Sequence, residues 1–186
     1  MLCLTDSIRH DDPAVQRLLR TIEEAHTLTA LLLAVWPLAR VLALHIIEYV
    51  LAERAQQPTA WPPCPTCGTP LRSKGFAPRQ LRSLCGPIRW RRRVGRCPHA
   101  CAIPQVAPLD VALGGQPHQR SSGALQALGG ALAVCVPFAT AARWLGWYCG
   151  AVVSARAVWA WVQAAGRHAM ARLQEERDTA ATGHGP

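Results

Sequence analysis

Apolar positions recur at helical spacing near both ends of the chain and alternate with charged positions in its middle. Asp12-Pro13 supplies an N-cap followed by a proline at the first helical position. Val15, Leu18, Leu19 and Ile22 then fall on one helix face, with Glu23 and Glu24 outside it. The stripe resumes at Leu28, Leu31, Leu32 and Val35. Pro37 removes a helix hydrogen bond, so a break or kink is expected there, with a further helix from Leu38 to Ala55. Together these predict a buried helical hairpin. His45, on its strongly apolar part, reads as a packed or partnered residue, because no second ligand lies near it in sequence.

In the middle the period changes from helical to two. Arg79-Gln80-Leu81-Arg82-Ser83-Leu84 alternates, Cys85-Gly86-Pro87 punctuates like a turn, and Ile88 to Val94 forms a second run, predicting an antiparallel hairpin. Beyond a loop-rich stretch from Pro104 to Pro117, helical spacing returns. Ser121 or Ser122 can cap a helix through Leu125, Leu128, Leu132 and Val136. Phe138, Ala141, Ala142 and Leu145 mark a second helix. After a turn at Gly150, Ser154 can cap a third, with Val158, Trp161, Val162 and Ala165 facing inward. The expected fold is mainly α with a small β insertion. Three segments follow: helices over 1–60, a hairpin segment over 61–104 entered through the proline-rich Pro58–Pro63, and helices with a polar C-terminal tail over 105–186.

Charge sharpens this division. Of 20 basic residues, 19 are Arg, against 11 acids. Residues 1–60 carry a net −2, residues 61–120 a net +9 with Asp110 their single acid, and residues 121–186 a net +2. A polyanionic partner is the natural expectation, because guanidinium binds phosphate in a fork that an ammonium cannot reproduce. Hydrophobic residues at 50% exclude wholesale disorder.

Five of the eight cysteines share the basic segment. Cys64-Pro65-Thr66-Cys67-Gly68 has the form of a zinc knuckle. Cys97-Pro98-His99-Ala100-Cys101 provides a second pair, separated from the first by 29 residues. Two knuckles joined by a hairpin describe a zinc ribbon. The second pair has one residue too many for a CxxC, so Cys101 is the fourth ligand or His99 replaces it. A sphere filled by cysteines leaves no open position, and the zinc is read as structural. Cys3, Cys85, Cys135 and Cys149 read as plain thiols, three of them in apolar surroundings and Cys85 at the turn.

Between the knuckles lie Arg72, Lys74, Arg79, Arg82, Arg89, Arg91, Arg92, Arg93 and Arg96. In a strand, Arg89, Arg91 and Arg93 face one side and Trp90 and Arg92 the other. A row of guanidiniums on a ribbon suits phosphate neutralisation along duplex DNA; without a partner it is a solvated face. In the third segment, helix, glycine turn and Ser-capped helix follow helix-turn-helix order. That would point Ser154 and Arg156 at the major groove.

The order of these motifs resembles a family. CPxCG, basic hairpin, CPxxC, Pro108-Leu109-Asp110-Val111-Ala112-Leu113-Gly114 and Val153-Ser154 through Trp161 look like the N-terminal, DNA-binding half of bacterial insertion-sequence transposases of the Kra/Lre type. The resemblance spans roughly residues 15–175. It implies recognition of transposon ends, and a separate RNase-H-like catalytic domain bearing a DDE acid triad. That triad is not legible here: seven acids lie in the N-terminal segment, three near the C-terminus, and Asp110 stands alone. The expectation is therefore a DNA-binding chain without its own catalysis, holding structural Zn²⁺. Its partners would be duplex DNA and a separate catalytic transposase chain, with homo-oligomers formed through the N-terminal helices. No membrane span is expected, because Pro37, Arg40, His45 and Glu48 interrupt the longest apolar run, and a cytoplasmic location is expected because Met1 to Asp12 has acids and no apolar run of signal-peptide length. The reading from another class is a zinc-stabilised protein-interaction or scaffolding module.

Overall fold

The computed structural model describes residues 12–181. Cys3, Asp6 and Asp11 lie outside the described residues. The chain is mostly helical, with six helices and one two-stranded antiparallel sheet among the described residues. Packing divides it into two compact units rather than along the three sequence segments. One comprises residues 12–81 and 85–120; the other comprises 82–84 and 121–181.

In the first unit, α1 (Pro13–Glu23) starts where the Asp12 side chain accepts the Ala14 N–H at 2.7 Å. The second Asp12 oxygen lies 3.6 Å from His45 Nε2, which gives that histidine its partner. Thr27 caps α2 (Leu28–Gln56) by accepting the Ala30 N–H at 3.1 Å. Two expectations are corrected here. Pro37 does not end the helix: α2 runs through it as one 29-residue element. Leu33 and Trp36 beside it are exposed, so the carbonyl that loses its amide donor is open to hydration. Nor is the hairpin buried. α1 packs on α2, but within α2 only Ala34 and Ala55 are fully covered. By length and composition α2 could cross a membrane; in this fold it packs on a strand as well as on α1.

That strand belongs to a hairpin longer at both ends than the alternation suggested. β1 (Arg72–Ser83) and β2 (Gly86–Arg96) are joined by Leu84-Cys85. A two-residue connection pairs Ser83 with Gly86, and so places Gln80 opposite Arg89, Pro78 opposite Arg91 and Phe76 opposite Arg93. The Arg93 guanidinium lies 5.1 Å from the Phe76 ring centroid, as that register requires. Burial alternates along β2: Ile88 is buried and Trp90 half-buried, whereas Arg89 and Arg91 are exposed. α3 (Pro108–Ala112) packs on β2.

The second unit holds α4 (Gly123–Cys135), α5 (Phe138–Cys149) and α6 (Ala155–Ala181). Ser122, rather than Ser121, caps α4 by accepting the Leu125 N–H at 3.2 Å. Gly150 closes α5 with φ 62°, a left-handed conformation that costs glycine little. Ser154 caps α6 by accepting the Ala157 N–H at 3.2 Å. Leu125, Ala141, Ala142, Leu145, Cys149, Ala151 and Val158 form the core, with Phe138 and Trp161 against it. The inward face of α6 ends sooner than its pattern suggests: Ala165 is exposed, and α6 from Ala165 to Ala180 is solvated on all sides. Leu128 and Cys135 are exposed as well, so Cys135 does not share the apolar surroundings of Cys149.

Candidate metal centre

Each cysteine pair is presented by a hydrogen-bonded loop. In the first, the Gly68 N–H donates to Cys64 O at 2.8 Å and the Cys64 N–H to Thr69 O at 2.9 Å. Pro63 and Pro70 bridge behind the loop, where the Leu71 N–H reaches Pro62 O at 3.1 Å. In the second, the Ala100 N–H donates to Cys97 O at 3.2 Å and the Ile103 N–H to Cys101 O at 2.7 Å. The surplus residue is taken up by Ala100, which sits at φ 54°. A non-glycine residue there is strained by roughly 1–2 kcal/mol, and the excursion shortens the span of the loop. That local backbone bend delivers Cys101 to the site.

The sulfurs of Cys64, Cys67, Cys97 and Cys101 all lie within 4.8 Å of one another, with Cys67 Sγ and Cys97 Sγ 3.5 Å apart. A tetrahedral ion with metal–sulfur bonds near 2.3 Å requires sulfurs about 3.8 Å apart, so the four thiols fit a metal. His99 is exposed and outside this group, so the side chains gathered at the site include Cys101 and not His99. Cys64 and Cys97 are buried, and Leu71, Trp61, Ile103 and Val106 shield the sulfurs with apolar surface. Trp61 packs against Gly95; a Cβ at that glycine would overlap the indole ring.

The cluster is electrostatically ready for a cation. Hydrogen bonds from Thr69, side chain first and then backbone, with a further one from Cys97, hold the Cys67 thiol down at about 6. Burial pushes Cys64 up, but backbone N–H groups of Cys67 and Thr66 outweigh it, and its pKa is lowered. Cys101 is raised to about 12, first through its hydrogen bond to Cys97 and then to Cys67, with burial adding to it. Several thiolates cannot coexist at this spacing unless a positive ion joins them.

The basic residues separate into two groups. Arg92 Nε donates to Asp110 Oδ2 at 2.9 Å, and its Nη1 reaches the Ala77 and Pro78 carbonyls, both at 3.0 Å. Arg79 Nε stands 3.9 Å from the same carboxylate oxygen, while its Nη2 donates to Gln116 O at 3.1 Å and Gln119 O at 3.0 Å. These two predicted DNA contacts are thus engaged inside the unit. Lys74, Arg89, Arg91 and Arg96 are exposed, and Arg93 is half-buried over Phe76. Arg82 is half-buried, its carbonyl accepting the Ser122 N–H at 2.8 Å. Ser154 and Arg156 are exposed at the start of α6. The Asp110 ion group was missed by sequence reasoning. A lone acid in a basic segment was the available signal, since a buried charge needs a partner.

No protein-family model matches the chain, and no curated protein aligns with it.

Proposed function

We propose that the chain is a zinc-stabilised DNA-binding module that recognises transposon ends, and that it works with a catalytic transposase chain rather than by chemistry of its own. The observation that carries this reading is the outward face of the hairpin. Four thiols clamp its base, and Arg89, Arg91 and Arg93 line one side of β2 with no side-chain ion pair among the described residues. Glu48, the acid nearest to Arg89, accepts its main-chain N–H at 2.7 Å and leaves the guanidinium free of that bond. Such a row suits backbone phosphates, which set affinity and register. Zinc is the favoured metal because four thiolates in a tetrahedron select it in the reducing cytosol.

In this reading α5, the Gly150 turn and α6 form a helix-turn-helix. The Ser154-capped end of α6 would enter the major groove and Arg156 would meet a guanine edge. The Asp110 carboxylate pairs with Arg92 and is engaged structurally, which supports binding over metal-dependent phosphoryl chemistry.

The test is duplex binding as a function of salt. Changing Arg89, Arg91 and Arg93 to Gln should weaken binding to all duplexes alike and flatten the log–log salt slope by ~0.9 per lost contact. Arg156→Ala should cost about 1–3 kcal/mol on a selected cognate site and little on random DNA. Salt-independent association, or none, would favour an interaction module instead. The extensive exposed apolar surface of α2 is the observation on that side.

A further inference from the structure

The exposed side of α2 has an order that its composition does not require. Leu28 (72% exposed), Leu32 (62%), Val35 (41%), Ile46 (38%) and Val50 (37%) lie with Ala39 and Ala43 along one stripe. Their spacing alternates between three and four residues over about three heptads, interrupted by one extra step of four at the centre, which approximates a left-handed two-helix seam. No charged residue occupies the stripe. Between Ala39 and Val50 the exposed positions are Ala39, Ile46 and Val50, and the intervening residues are half-buried. Over that stretch the open surface is a narrow strip that one further helix would cover; from Leu28 to Trp36 the exposure is broader, with Leu31, Leu33 and Trp36 open beside the stripe.

The stripe is also symmetric. Counted outward from Ala39, apolar residues stand at the same offsets toward both ends: Val35 and Ala43, then Leu32 and Ile46, then Leu28 and Val50. Such a pattern is self-complementary when reversed. We infer that α2 pairs with α2 of a second copy of this chain in an antiparallel, two-fold-symmetric dimer, with Ala39 meeting its own copy at the axis. Leu32 then faces Ile46 of the other copy and Leu28 faces Val50. The small Ala39 and Ala43 at the centre let the two backbones approach closely. An isologous contact of this kind closes after two copies.

The experiment is sedimentation equilibrium of the full chain, with flotation on phosphatidylcholine vesicles as a parallel arm. The unsubstituted chain should be dimeric at micromolar concentration and stay with the aqueous phase. Leu32→Glu should raise the dimer dissociation constant roughly 100-fold, by setting a carboxylate against Ile46 across the axis. Adding Ile46→Lys to Leu32→Glu should restore the dimer, because the antiparallel register brings opposite charges together twice. A parallel pair would set like charges face to face and stay apart. Both positions are exposed, so metal content and circular dichroism should match the parent. Should either charge impair folding, Ala39→Cys provides an independent arm: mild oxidation should yield a peptide disulfide joining the introduced thiols of two copies. A monomeric parent chain, flotation with vesicles, a dimer indifferent to Leu32→Glu, or absence of the Ala39→Cys cross-link would each overturn the inference.

Discussion

The two faces of the hairpin carry the same residue type for opposite ends. On the inward face, Arg92 is bound by Asp110 and two carbonyls, and Arg79 by Asp110, Gln116 and Gln119. On the outward face, Arg89, Arg91 and Arg93 hold no carboxylate among the described residues. One step along a strand separates a structural guanidinium from one available to a ligand. A count of arginines therefore overstates a binding surface, and the alternation of a strand corrects the count only when a partner for the inward residues is known.

Removing metal should give the largest effect, because both faces are anchored at the cysteine cluster. Chelation should unfold the first unit, since structural zinc in small domains supplies roughly 10–16 kcal/mol of apparent binding energy at neutral pH. Loss of circular dichroism from that unit, alongside about one equivalent of released zinc, would verify it. Refilling at pH 7.5 should release close to four protons per ion, because the unfolded chain carries these four cysteines as ordinary, mostly protonated thiols and the ion takes them as thiolates. Metal affinity should accordingly fall as the pH is lowered, because protons compete for the same sulfurs. Calorimetry in buffers of differing ionisation enthalpy measures that number.

Next in size is the inward face. Asp110→Ala leaves two largely buried guanidiniums without their carboxylate, and breaking such a group costs about 3–5 kcal/mol. Urea denaturation of the metal-loaded protein should show this loss. Gly95→Ala should follow, since a methyl at that site meets the Trp61 ring and overpacking costs roughly 1–3 kcal/mol. The smallest effect belongs to the outward face. Arg91→Ala should change stability by less than about 0.5 kcal/mol while still weakening duplex binding. A destabilisation at Arg91 as large as that at Asp110 would erase the distinction between the faces.

Much of this was legible in the residues. The cysteine pairs announce a cluster through their spacing, and Asp12 and Ser154 sit where helix starts are expected. The alternation in β2 placed Arg92 and Trp90 opposite Arg89, Arg91 and Arg93. What was not legible depended on partners distant in sequence or on backbone detail. Nothing near Asp110 names Arg92 as its mate. The choice between His99 and Cys101 turned on the left-handed Ala100, which no spacing rule encodes. Pro37 misled because the rule against proline counts a lost hydrogen bond, and an exposed turn can replace it with water. The pattern of α2 showed an apolar helix, but which side α1 and β2 would leave uncovered required the fold.

The hairpin register also bears on how the protein avoids self-assembly into fibrils. A two-stranded ribbon has two raw edges, and unpaired main-chain groups there recruit other chains. The register points the Arg89 and Gly95 amides away from β1, and both are occupied: Glu48 takes the first, and Val106 bonds with the second in both directions at 2.8 and 3.1 Å. On β1, the outward-facing position opposite Arg91 is filled by Pro78, which has no amide to offer and sacrifices no ladder bond there. Lys74 charges the same edge nearer its start. Sheet growth is thereby hindered on one side by the hydrogen bonds at Arg89 and Gly95 and on the other by an imino acid and an ammonium group, and the exposed Arg89 and Arg91 can stay wet without becoming a template.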